Sequence, residues 1–378
     1  MRPLLLTLII TAACAGEAAP PTRAEVEALI DQGQAWLLSQ QQPDGALVPG
    51  KTFTLGITAM GALALAVQPK GLAADHPALV KALAYVETQR KPDGGIYVID
   101  EGLGNYTTAL ALQLWAATGR KDAAVAAAQR YLLGLQNTDA GNPGEGGIGY
   151  GDKGRGHEDL SNTSYAVTAL RDSGIPADDA RMQAALKFLE RCQDLSSVNK
   201  QPWVGSAGGP AGQGGAVYGP AEATTSWEKK EPGQAEKFTS TGTMTYALLS
   251  SYLTLQLAPE DPRVAAALAW VKGNYQFAVN PGMATGKEIQ GLFHYYALMG
   301  STFAMLKTPT LDLGNGRTVD WRGDLFVAIK STAQATKLPD GKPGAFWINS
   351  APRWAEGMPH LTTSYMLRGL KAIAGTLP

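Results

Sequence analysis

Residues 158–170 read EDLSNTSYAVTAL, and they join a polar cluster to an apolar run with helical character. Asp159 or Ser161 can cap such a helix, because their side-chain oxygens accept hydrogen bonds from the first free backbone N–H groups. Related stretches, in which polar residues precede an apolar run, recur at residues 105–109, 242–247, 293–297 and 361–366. If these stretches are equivalent, their polar starts meet in one place, which we predict to be the functional site.

A second pattern recurs along the 378 residues: an aromatic residue, aliphatic residues and a glutamine, often followed by a Gly-rich turn and another aromatic residue. The copies lie at residues 35–40, 84–89, 131–136, 188–193, 269–274 and 327–334, and the fifth is degraded. Each copy lies near the end of one predicted helix, and a second apolar helix follows the turn. Self-similarity at this spacing predicts an array of helical hairpins.

The first helices are predicted near residues 24–40, 77–89, 121–136, 180–193, 262–275 and 321–334. The second helices are predicted near residues 54–67, 106–118, 162–173, 242–257, 290–306 and 361–374. The second helices carry fewer charged residues, and a helix that is apolar on all sides must be buried. We therefore expect an all-α fold, a closed (α/α)6 toroid of six helical hairpins in which the second helices form the inner ring.

These aromatic-aliphatic-Gln and Gly-x-aromatic copies resemble the QW-type repeat of the prenyltransferase and squalene cyclase (squalene oxidase) repeat superfamily. The resemblance covers nearly all of the mature chain and marks it as a divergent, exported bacterial member. It implies a central cavity at the end of the toroid where the inner helices begin and the Gly-rich loops converge. In that superfamily the cavity holds isoprenoid chains.

The Asp-x-Asp-Asp-Thr-Ala motif of squalene–hopene cyclases resembles residues 159–164, which read DLSNTS. In that family the central aspartate donates a proton to an alkene or an epoxide, and Ser161 stands at its position here, followed by Asn162. A serine hydroxyl is too weak an acid for this task. Asp159 is therefore the remaining candidate acid, with His157 and Glu158 directly before it.

The protein prenyltransferase β-subunits of the same superfamily hold zinc with Asp, Cys and His near the inner-helix tyrosines. Aligning the inner helices on Tyr246, Tyr296 and Tyr365 places threonines and aromatic residues at the matching positions. These side chains are not zinc ligands, and both His294 and His360 fall out of register with the family histidine. We therefore predict no metal site and no cofactor.

In a ring of six hairpins the third and the sixth face each other, which would set Asp159 opposite His360 with a ligand between them. Asp159, His360 and Glu158 are the candidate catalytic residues. The candidate ligand-binding residues are His157, Ser161, Asn162, Tyr165, Tyr106, Tyr246, His294, Tyr296, Tyr365, Trp347 and Trp354. A structural role stays open at each position, with Asp159 as a helix cap and the tyrosines as core residues with a tethered hydroxyl group.

The N-terminus has a short basic segment followed by an apolar segment that is too short to span a bilayer, which predicts a signal peptide at residues 1–20. Residues 11–14 resemble a lipoprotein box, which makes Cys14 a candidate lipid anchor, and ordinary cleavage nearby is the alternative. We expect export to the periplasm or cell envelope. Residues 22–378 then form a single toroid, with a long insertion at residues 194–238 that is either a lid or a surface excursion.

The formal net charge of −1 gives no field that would attract nucleic acid. Three functional classes remain. The first is a protein that binds an apolar or isoprenoid-like ligand in the cavity, or a protein partner at the cell surface. The second is a divergent terpenoid cyclase or prenyltransferase-like enzyme that uses Asp159, and the third is a polysaccharide hydrolase or lyase on an (α/α)6 barrel. The missing family acid and zinc ligands favour the first class.

Overall fold

The computed structural model describes residues 18–50, 52–151, 157–209, 212–221, 238–314 and 316–378. Most of the predicted signal peptide, including the Cys14 anchor, lies outside the described residues, as does the part of the insertion at residues 222–237. Export and lipidation therefore remain predictions. In the described ranges no helix combines the length and the apolar character needed to cross a bilayer.

Twelve α-helices form six successive hairpins within the described residues. The outer helices are α1 (Arg23–Ser39), α3 (Pro77–Glu87), α5 (Ala123–Gly134), α7 (Ala180–Cys192), α9 (Pro262–Gly273) and α11 (Trp321–Thr332). The inner helices are α2 (Thr54–Ala66), α4 (Gly104–Ala117), α6 (Leu160–Asp172), α8 (Gly242–Thr254), α10 (Leu292–Leu306) and α12 (Pro359–Thr376). Each inner helix contacts the next one, and α12 contacts α2. The predicted closed toroid of six hairpins is confirmed.

Small residues let the inner helices approach one another. In α10 and α12, a Cβ atom added to Gly300 would lie 3.4 Å from the Cα atom of Gly369, so the two backbones nearly touch. In α2, a Cβ atom on Gly61 would lie 2.9 Å from Leu47 Cδ1. Nearly every residue of α2 is buried, as expected for a helix enclosed by neighbours on all sides.

The glutamine of the sequence repeat links one hairpin to the next. Gln136 Nε2 donates to the carbonyl group of Gly146 in its own turn (2.9 Å) and to that of Arg181 in the first turn of α7 (2.8 Å). Gln193 Nε2 makes the same pair of bonds to Gly214 (3.1 Å) and to Arg263 of α9 (2.9 Å). The recurring amide therefore satisfies backbone acceptors of two hairpins at once.

The structure shifts the first two copies of this repeat by one residue. Gln41, and not the predicted Gln40, bonds to the turn carbonyl of Gly45 (3.2 Å) and to Ala78 of α3 (2.8 Å). In the second hairpin Arg90 forms the backbone bridge, to Ile96, that Gln136 forms in the third hairpin. The repeat copy that was predicted to end at Gln89 therefore ends one residue too early.

The glycine of each Gly-rich turn permits close contact with the next outer helix. Gly146 has a φ of 82°, and a Cβ atom there would lie 2.1 Å from the carbonyl oxygen of Ala184 in α7. Gly45, Gly94 and Gly214 have positive φ values and equally close backbone neighbours. Only glycine fits such a position without strain, which explains why the turn recurs in the sequence.

A threonine on each of five inner helices fixes the rotation of that helix about its axis. Thr163 Oγ1 accepts a hydrogen bond from the Ile148 backbone N–H (2.9 Å), directly after the Gly-rich turn. The equivalent acceptors are Thr58, Thr108, Thr245 and Thr363. Because Thr245 and Thr363 are equivalent, Tyr365 lies one residue later in its helix than Tyr246 does. The alignment of these two tyrosines in the sequence analysis was therefore wrong by one residue.

Two antiparallel β-hairpins, which the sequence analysis did not predict, connect the last helices. Strands β1 (Thr310–Gly314) and β2 (Arg317–Asp320) form the first, and β3 (Gln334–Lys337) and β4 (Pro343–Phe346) form the second.

The described part of the insertion has a small core of its own. The Trp203 ring stacks on Phe238 at a centroid distance of 4.8 Å, and Trp203 Nε1 donates to the carbonyl group of Pro220 (3.0 Å). The buried Asp194 carboxylate accepts from the backbone N–H groups of Gly205 and Ala207. The beginning of the insertion is thus fixed to the loop that precedes α8, and its proposed role as a lid stays a prediction.

Candidate functional site

The starts of the inner helices are joined by hydrogen bonds at one end of the toroid. The Asn105 N–H of α4 donates to the Tyr150 carbonyl group (2.9 Å), and the Leu160 N–H of α6 donates to that of Tyr218 (2.8 Å). In both cases the acceptor lies in the loop of the following hairpin. Free N–H groups at the starts of α4 and α6 are therefore satisfied by the next repeat.

Asp159 is the N-cap residue of α6 and lies at this end. Its carboxyl group accepts from the Asn162 backbone N–H (2.8 Å) and from Asn162 Nδ2 (2.7 Å), and the Tyr218 hydroxyl group also bonds to it. The residue is only 2% exposed. Burial raises its pKa to about 7, although the hydrogen bonds from Asn162 and Tyr218 act in the opposite direction. At neutral pH a large fraction of Asp159 is therefore an uncharged carboxylic acid.

A cavity of about 50 Å³ adjoins Asp159. This volume holds only a few water molecules. His157 and Ala221 line the cavity and border the undescribed residues 152–156 and 222–237. The lining residues are Asn142, Gly144, Tyr150, His157, Glu158, Asp159, Tyr218, Gly219, Pro220 and Ala221.

A row of aromatic rings leads from this cavity into the pore of the toroid. The centroid distances are 5.7 Å from Tyr150 to Tyr106, 5.1 Å from Tyr106 to Tyr165, 6.1 Å from Tyr165 to His294 and 5.0 Å from His294 to Tyr365. We call these five residues the aromatic row. They come from the third, second, fifth and sixth hairpins, so the tertiary structure brings together candidates that are far apart in sequence.

The polar atoms of the aromatic row are tethered. The Tyr106 hydroxyl group donates to Ser161 Oγ (2.9 Å), and the Tyr165 hydroxyl group lies 3.4 Å from His294 Nε2. Burial, and then the positive charge of Arg368, lower the pKa of His294 to about 4. His294 is therefore neutral at physiological pH, and the row presents uncharged aromatic faces.

Glu158 and His157 lie at the cavity, as the sequence analysis placed them. Glu158 is partly buried beside Gly144, where an added Cβ atom would come within 2.3 Å of Glu158 Oε2. His157 is exposed. Asn162 is fully buried and holds α4 against α6, because Asn105 Nδ2 donates to its backbone carbonyl group (2.9 Å). Its role in the structure is to connect Asp159 to the neighbouring helix.

The structure places Tyr246 and Tyr296 outside the aromatic row. The Tyr246 ring packs edge-on against Tyr295 and Phe303 and is 1% exposed. The Tyr296 hydroxyl group donates to the carbonyl group of Phe277. The one-residue shift explains the position of Tyr246, since Tyr165 and Tyr365 occupy equivalent positions relative to their threonines and Tyr246 does not.

His360 does not share a cavity with Asp159, contrary to the predicted arrangement. As the second residue of α12, it turns its ring toward Trp36 of the outer helix α1, at a centroid distance of 5.1 Å. Its two ring nitrogens have no hydrogen-bond partner among the described residues. The lining of the Asp159 cavity does not include it.

The two predicted tryptophans also lie elsewhere. Trp347 is fully buried, and its Nε1 donates to the Ile329 carbonyl group of α11 (2.8 Å), so it belongs to the packing between outer helices and α12. Trp354 is 39% exposed and lies beside Gly291 at the start of α10.

The sequence analysis missed Glu356, a buried carboxyl group near the aromatic row. Glu356 Oε1 accepts from the backbone N–H of His294 (2.7 Å), and its Oε2 accepts from Asn349 Nδ2 (2.6 Å). The residue is 1% exposed, and burial raises its pKa to about 7. Glu356 caps a helix of the preceding hairpin, so no local sequence pattern reveals it.

Tyr150 and Tyr218 were also missed, and here a signal existed. Both are the aromatic residue that follows the Gly-rich turn in a copy of the sequence repeat, and their hydroxyl groups lie 2.9 Å apart. In the described ranges no group of three or more His, Cys, Asp or Glu side chains could hold a metal ion.

No protein-family profile matches this chain, and no curated protein sequence matches it. The type II terpene cyclase MstE from Scytonema, in its apo form, has a similar structure, with a TM-score of 0.59 and 15% identity over 94% of this chain and 100% of MstE. A protein from Actinoplanes is similar with a TM-score of 0.53 and 16% identity over 92% of this chain and 99% of that protein.

The GH76 α-mannanase BT2949 from Bacteroides thetaiotaomicron is also similar, with a TM-score of 0.52 and 11% identity over 92% of this chain and 95% of that one. MstE has been solved with geranylgeranyl dihydroxybenzoate as its substrate. At such low identity, likeness to a cyclase and to a mannanase shows a shared fold and no shared reaction. The chain is thus similar to the (α/α)6 toroids of terpene cyclases and glycosidases.

Proposed function

We propose that this protein binds an apolar, isoprenoid-like ligand in the pore, at the end that contains Asp159. The aromatic row is the observation that supports the proposal. Its rings form a continuous path of uncharged faces from the cavity to the pore, and ligand sites of this kind combine apolar walls with a few polar groups. Tyr106, Tyr165 and His294 are partly exposed although they lie on inner helices, as residues that line a hollow are.

The ligand requires more room than the cavity offers, because pockets for ligands of this size usually enclose several hundred Å³. We expect Tyr106 and Tyr165 to rotate when the ligand enters. Each rotation breaks one hydrogen bond, to Ser161 and to His294 respectively, at a net cost of about 1 kcal/mol each. The complex of MstE with a geranylgeranyl compound supports the same class of ligand on the same fold.

Native mass spectrometry of the purified protein, followed by lipid extraction, tests the proposal. We expect a stoichiometric apolar adduct, or saturable binding of geranylgeraniol by the extracted protein. Tyr165→Ala should weaken that binding at least about tenfold, equal to about 1.4 kcal/mol. Tyr85→Ala, which removes a partly buried tyrosine from the outer helix α3, is the matched control. Absence of both an adduct and saturable binding contradicts the proposal.

A second candidate function is favoured by the state of Asp159. A buried carboxyl group whose pKa is raised to about 7 matches a general acid that works at neutral pH. Proton transfer to an alkene carbon would leave the Asp159 carboxylate and a carbocation, which aromatic faces such as that of Tyr106 stabilise. A final proton loss from the product cation would restore the acid. This is the divergent cyclase, and it depends on the same ligand site.

Product analysis separates catalysis from binding. Wild-type protein is incubated with squalene and with geranylgeranyl dihydroxybenzoate, and extracts are examined for cyclised products by mass spectrometry. A cyclase loses product formation in Asp159→Asn and still binds geranylgeraniol. A wild-type protein that binds but forms no product is a binding protein.

A polysaccharide-active enzyme is supported less well. Glycoside hydrolysis uses two carboxyl groups that flank the scissile bond, whereas Glu158 and Asp159 are adjacent in the chain and border the same small cavity. Release of reducing ends from α-mannan is the assay that would support this alternative.

Export is likewise a proposal. N-terminal sequencing of the protein from the cell envelope, compared with that of Cys14→Ser, tests cleavage and lipidation.

A further inference from the structure

The cavity beside Asp159 adjoins the aromatic row. Tyr150 lines the cavity and is also the first residue of the row, with its ring centroid 5.7 Å from that of Tyr106. A ligand whose apolar chain follows the row therefore places the end of that chain in the cavity. The chemistry of the cavity wall then selects the group at this end of the ligand.

The charges of the cavity wall disfavour an anionic group. Glu158 and Asp159 both line the cavity, and no lysine or arginine is among the described lining residues. A carboxylate or a diphosphate would be repelled by the two carboxyl groups whenever they are ionised. The wall therefore favours a ligand end that carries no negative charge.

The Tyr218 hydroxyl group gives the wall a hydrogen-bond acceptor. It lies 2.9 Å from the Tyr150 hydroxyl group and also bonds to Asp159. A tyrosine hydroxyl group has one hydrogen to donate and two lone pairs that accept. In a chain of hydrogen bonds that runs through Tyr218 between Tyr150 and Asp159, in either direction, Tyr218 donates once and accepts once. The site that remains on Tyr218 is a lone pair, which a ligand fills only by donating a hydrogen bond.

The volume of the cavity suits a single hydroxyl group. The cavity of about 50 Å³ holds only a few water molecules, and a hydroxyl group is similar in size to one of them. A hydrocarbon end would also fit, but it would leave the remaining lone pair of Tyr218 without a partner, which weakens binding.

We propose that the ligand is an isoprenoid alcohol whose hydroxyl group lies in the cavity and donates a hydrogen bond to Tyr218, while its chain lies along the aromatic row. This inference rests on the ligand binding proposed above and adds the identity of the polar end. A site built around a hydrogen bond to a hydroxyl group discriminates against analogues that lack the group, because the buried polar atom of the protein is then left unpaired.

Four compounds with the same geranylgeranyl chain test the proposal on the wild-type protein. Geranylgeraniol carries the hydroxyl group, its methyl ether has no hydrogen to donate, geranylgeranoic acid is anionic and geranylgeranylamine is cationic at neutral pH. Isothermal titration calorimetry measures the affinity of each. We expect the alcohol to bind at least about tenfold more tightly than each of the other three, equal to about 1.4 kcal/mol.

Tyr218→Phe identifies the partner of the ligand hydroxyl group. This variant keeps the ring and removes the acceptor, so the alcohol should bind about tenfold more weakly than to the wild type, whereas the affinity for the methyl ether should change by less than about twofold. Tyr85→Phe removes a hydroxyl group from the outer helix α3 and is the matched control, which should bind the alcohol like the wild type. Circular dichroism establishes that each variant is folded.

The outcomes separate this inference from the proposed function. Saturable binding without a preference for the alcohol, or with a preference for any of the other three compounds, overturns the hydroxyl assignment and leaves the binding of an apolar chain intact. An unchanged preference for the alcohol in a folded Tyr218→Phe variant overturns the assignment as well. Absence of saturable binding for all four compounds contradicts the proposed function itself, and this inference with it.

Discussion

Asp159 accepts hydrogen bonds from both nitrogen atoms of Asn162, the backbone N–H at 2.8 Å and the side-chain amide at 2.7 Å. The same carboxyl group caps α6 and borders the cavity. The two interpretations that the sequence left open, a helix cap and a polar group of the functional site, are therefore compatible. A cap that is also buried is held in one orientation, which a positioned acid requires.

The pKa of Asp159 predicts how stability depends on pH. Its pKa is about 7 in the folded protein and about 4 in an unfolded chain, so the folded state binds more protons between these values. This contribution is fully present below about pH 4 and is lost as the pH rises through about 7. The unfolding free energy of the wild type should therefore fall between about pH 4 and about pH 7. In Asp159→Asn, which keeps a good cap, this fall should be smaller by a few kcal/mol.

Urea unfolding at intervals from pH 4 to pH 8 measures this difference. Glu356 has a pKa raised in the same direction, so part of the slope should persist in Asp159→Asn and become smaller when Glu356→Gln is added. Equal pH slopes in the wild type and in Asp159→Asn would contradict the assignment.

Lys371 predicts the opposite pH dependence. It is 2% exposed, and its Nζ atom donates to the Val67 carbonyl group (2.8 Å), which joins the last inner helix to the end of the first. Burial, and then the charge of Lys70, lower its pKa to about 7. Between about pH 7 and about pH 10 the unfolded chain binds more protons, so stability from this group rises with pH.

The variant Lys371→Met removes this titration. The stability of the wild type relative to Lys371→Met should increase from pH 7 to pH 10, and melting temperatures by circular dichroism at each pH would measure it. A difference that stays constant with pH would show that Lys371 titrates normally in the folded protein.

The close contact at Gly146 predicts a large effect of a small substitution. In Gly146→Ala the new methyl group would meet the Ala184 carbonyl oxygen at 2.1 Å, and either α7 or the turn must move. We expect the unfolding free energy to fall by at least about 3 kcal/mol, which is typical of substitutions that disrupt the packing of a core.

Gly141→Ala is the matched control for this clash. Gly141 has a similar φ of 78°, and no atom lies within 4 Å of an added Cβ atom. Its loss should be about 1 kcal/mol, the cost of a left-handed conformation alone. Equal losses in chemical denaturation would show that close approach is not what selects glycine in the turn.

Thr163 predicts the contribution of the inner-helix threonines. In Thr163→Val the shape is retained, but the buried N–H of Ile148 loses its acceptor, which costs about 1–3 kcal/mol. Thr163→Ser keeps the hydroxyl group and should lose less. Chemical denaturation compares the two, and a serine variant that is less stable than the valine variant would contradict the role of the hydrogen bond.

The sequence by itself determined the features that depend on local chemistry. Helical periodicity gave the helices close to their observed bounds, and the spacing of the repeat gave six hairpins, since each hairpin must bury its apolar face against the next. The polar start of α6 identified Asp159 as a cap, because capping involves residues a few positions apart. The Gly-rich turns were recognisable for the same reason.

Only the tertiary structure decided which side chains meet in the pore. Inner helices are buried on all sides, so their apolar pattern does not identify the face that lines the pore. A shift of one residue is enough to place Tyr365 in the aromatic row and Tyr246 in the packing between helices. Glu356 caps a helix of another hairpin, and His360 turns toward α1. These relationships depend on helix rotation, which is set by hydrogen bonds such as that of Thr163 and by packing between residues distant in the chain.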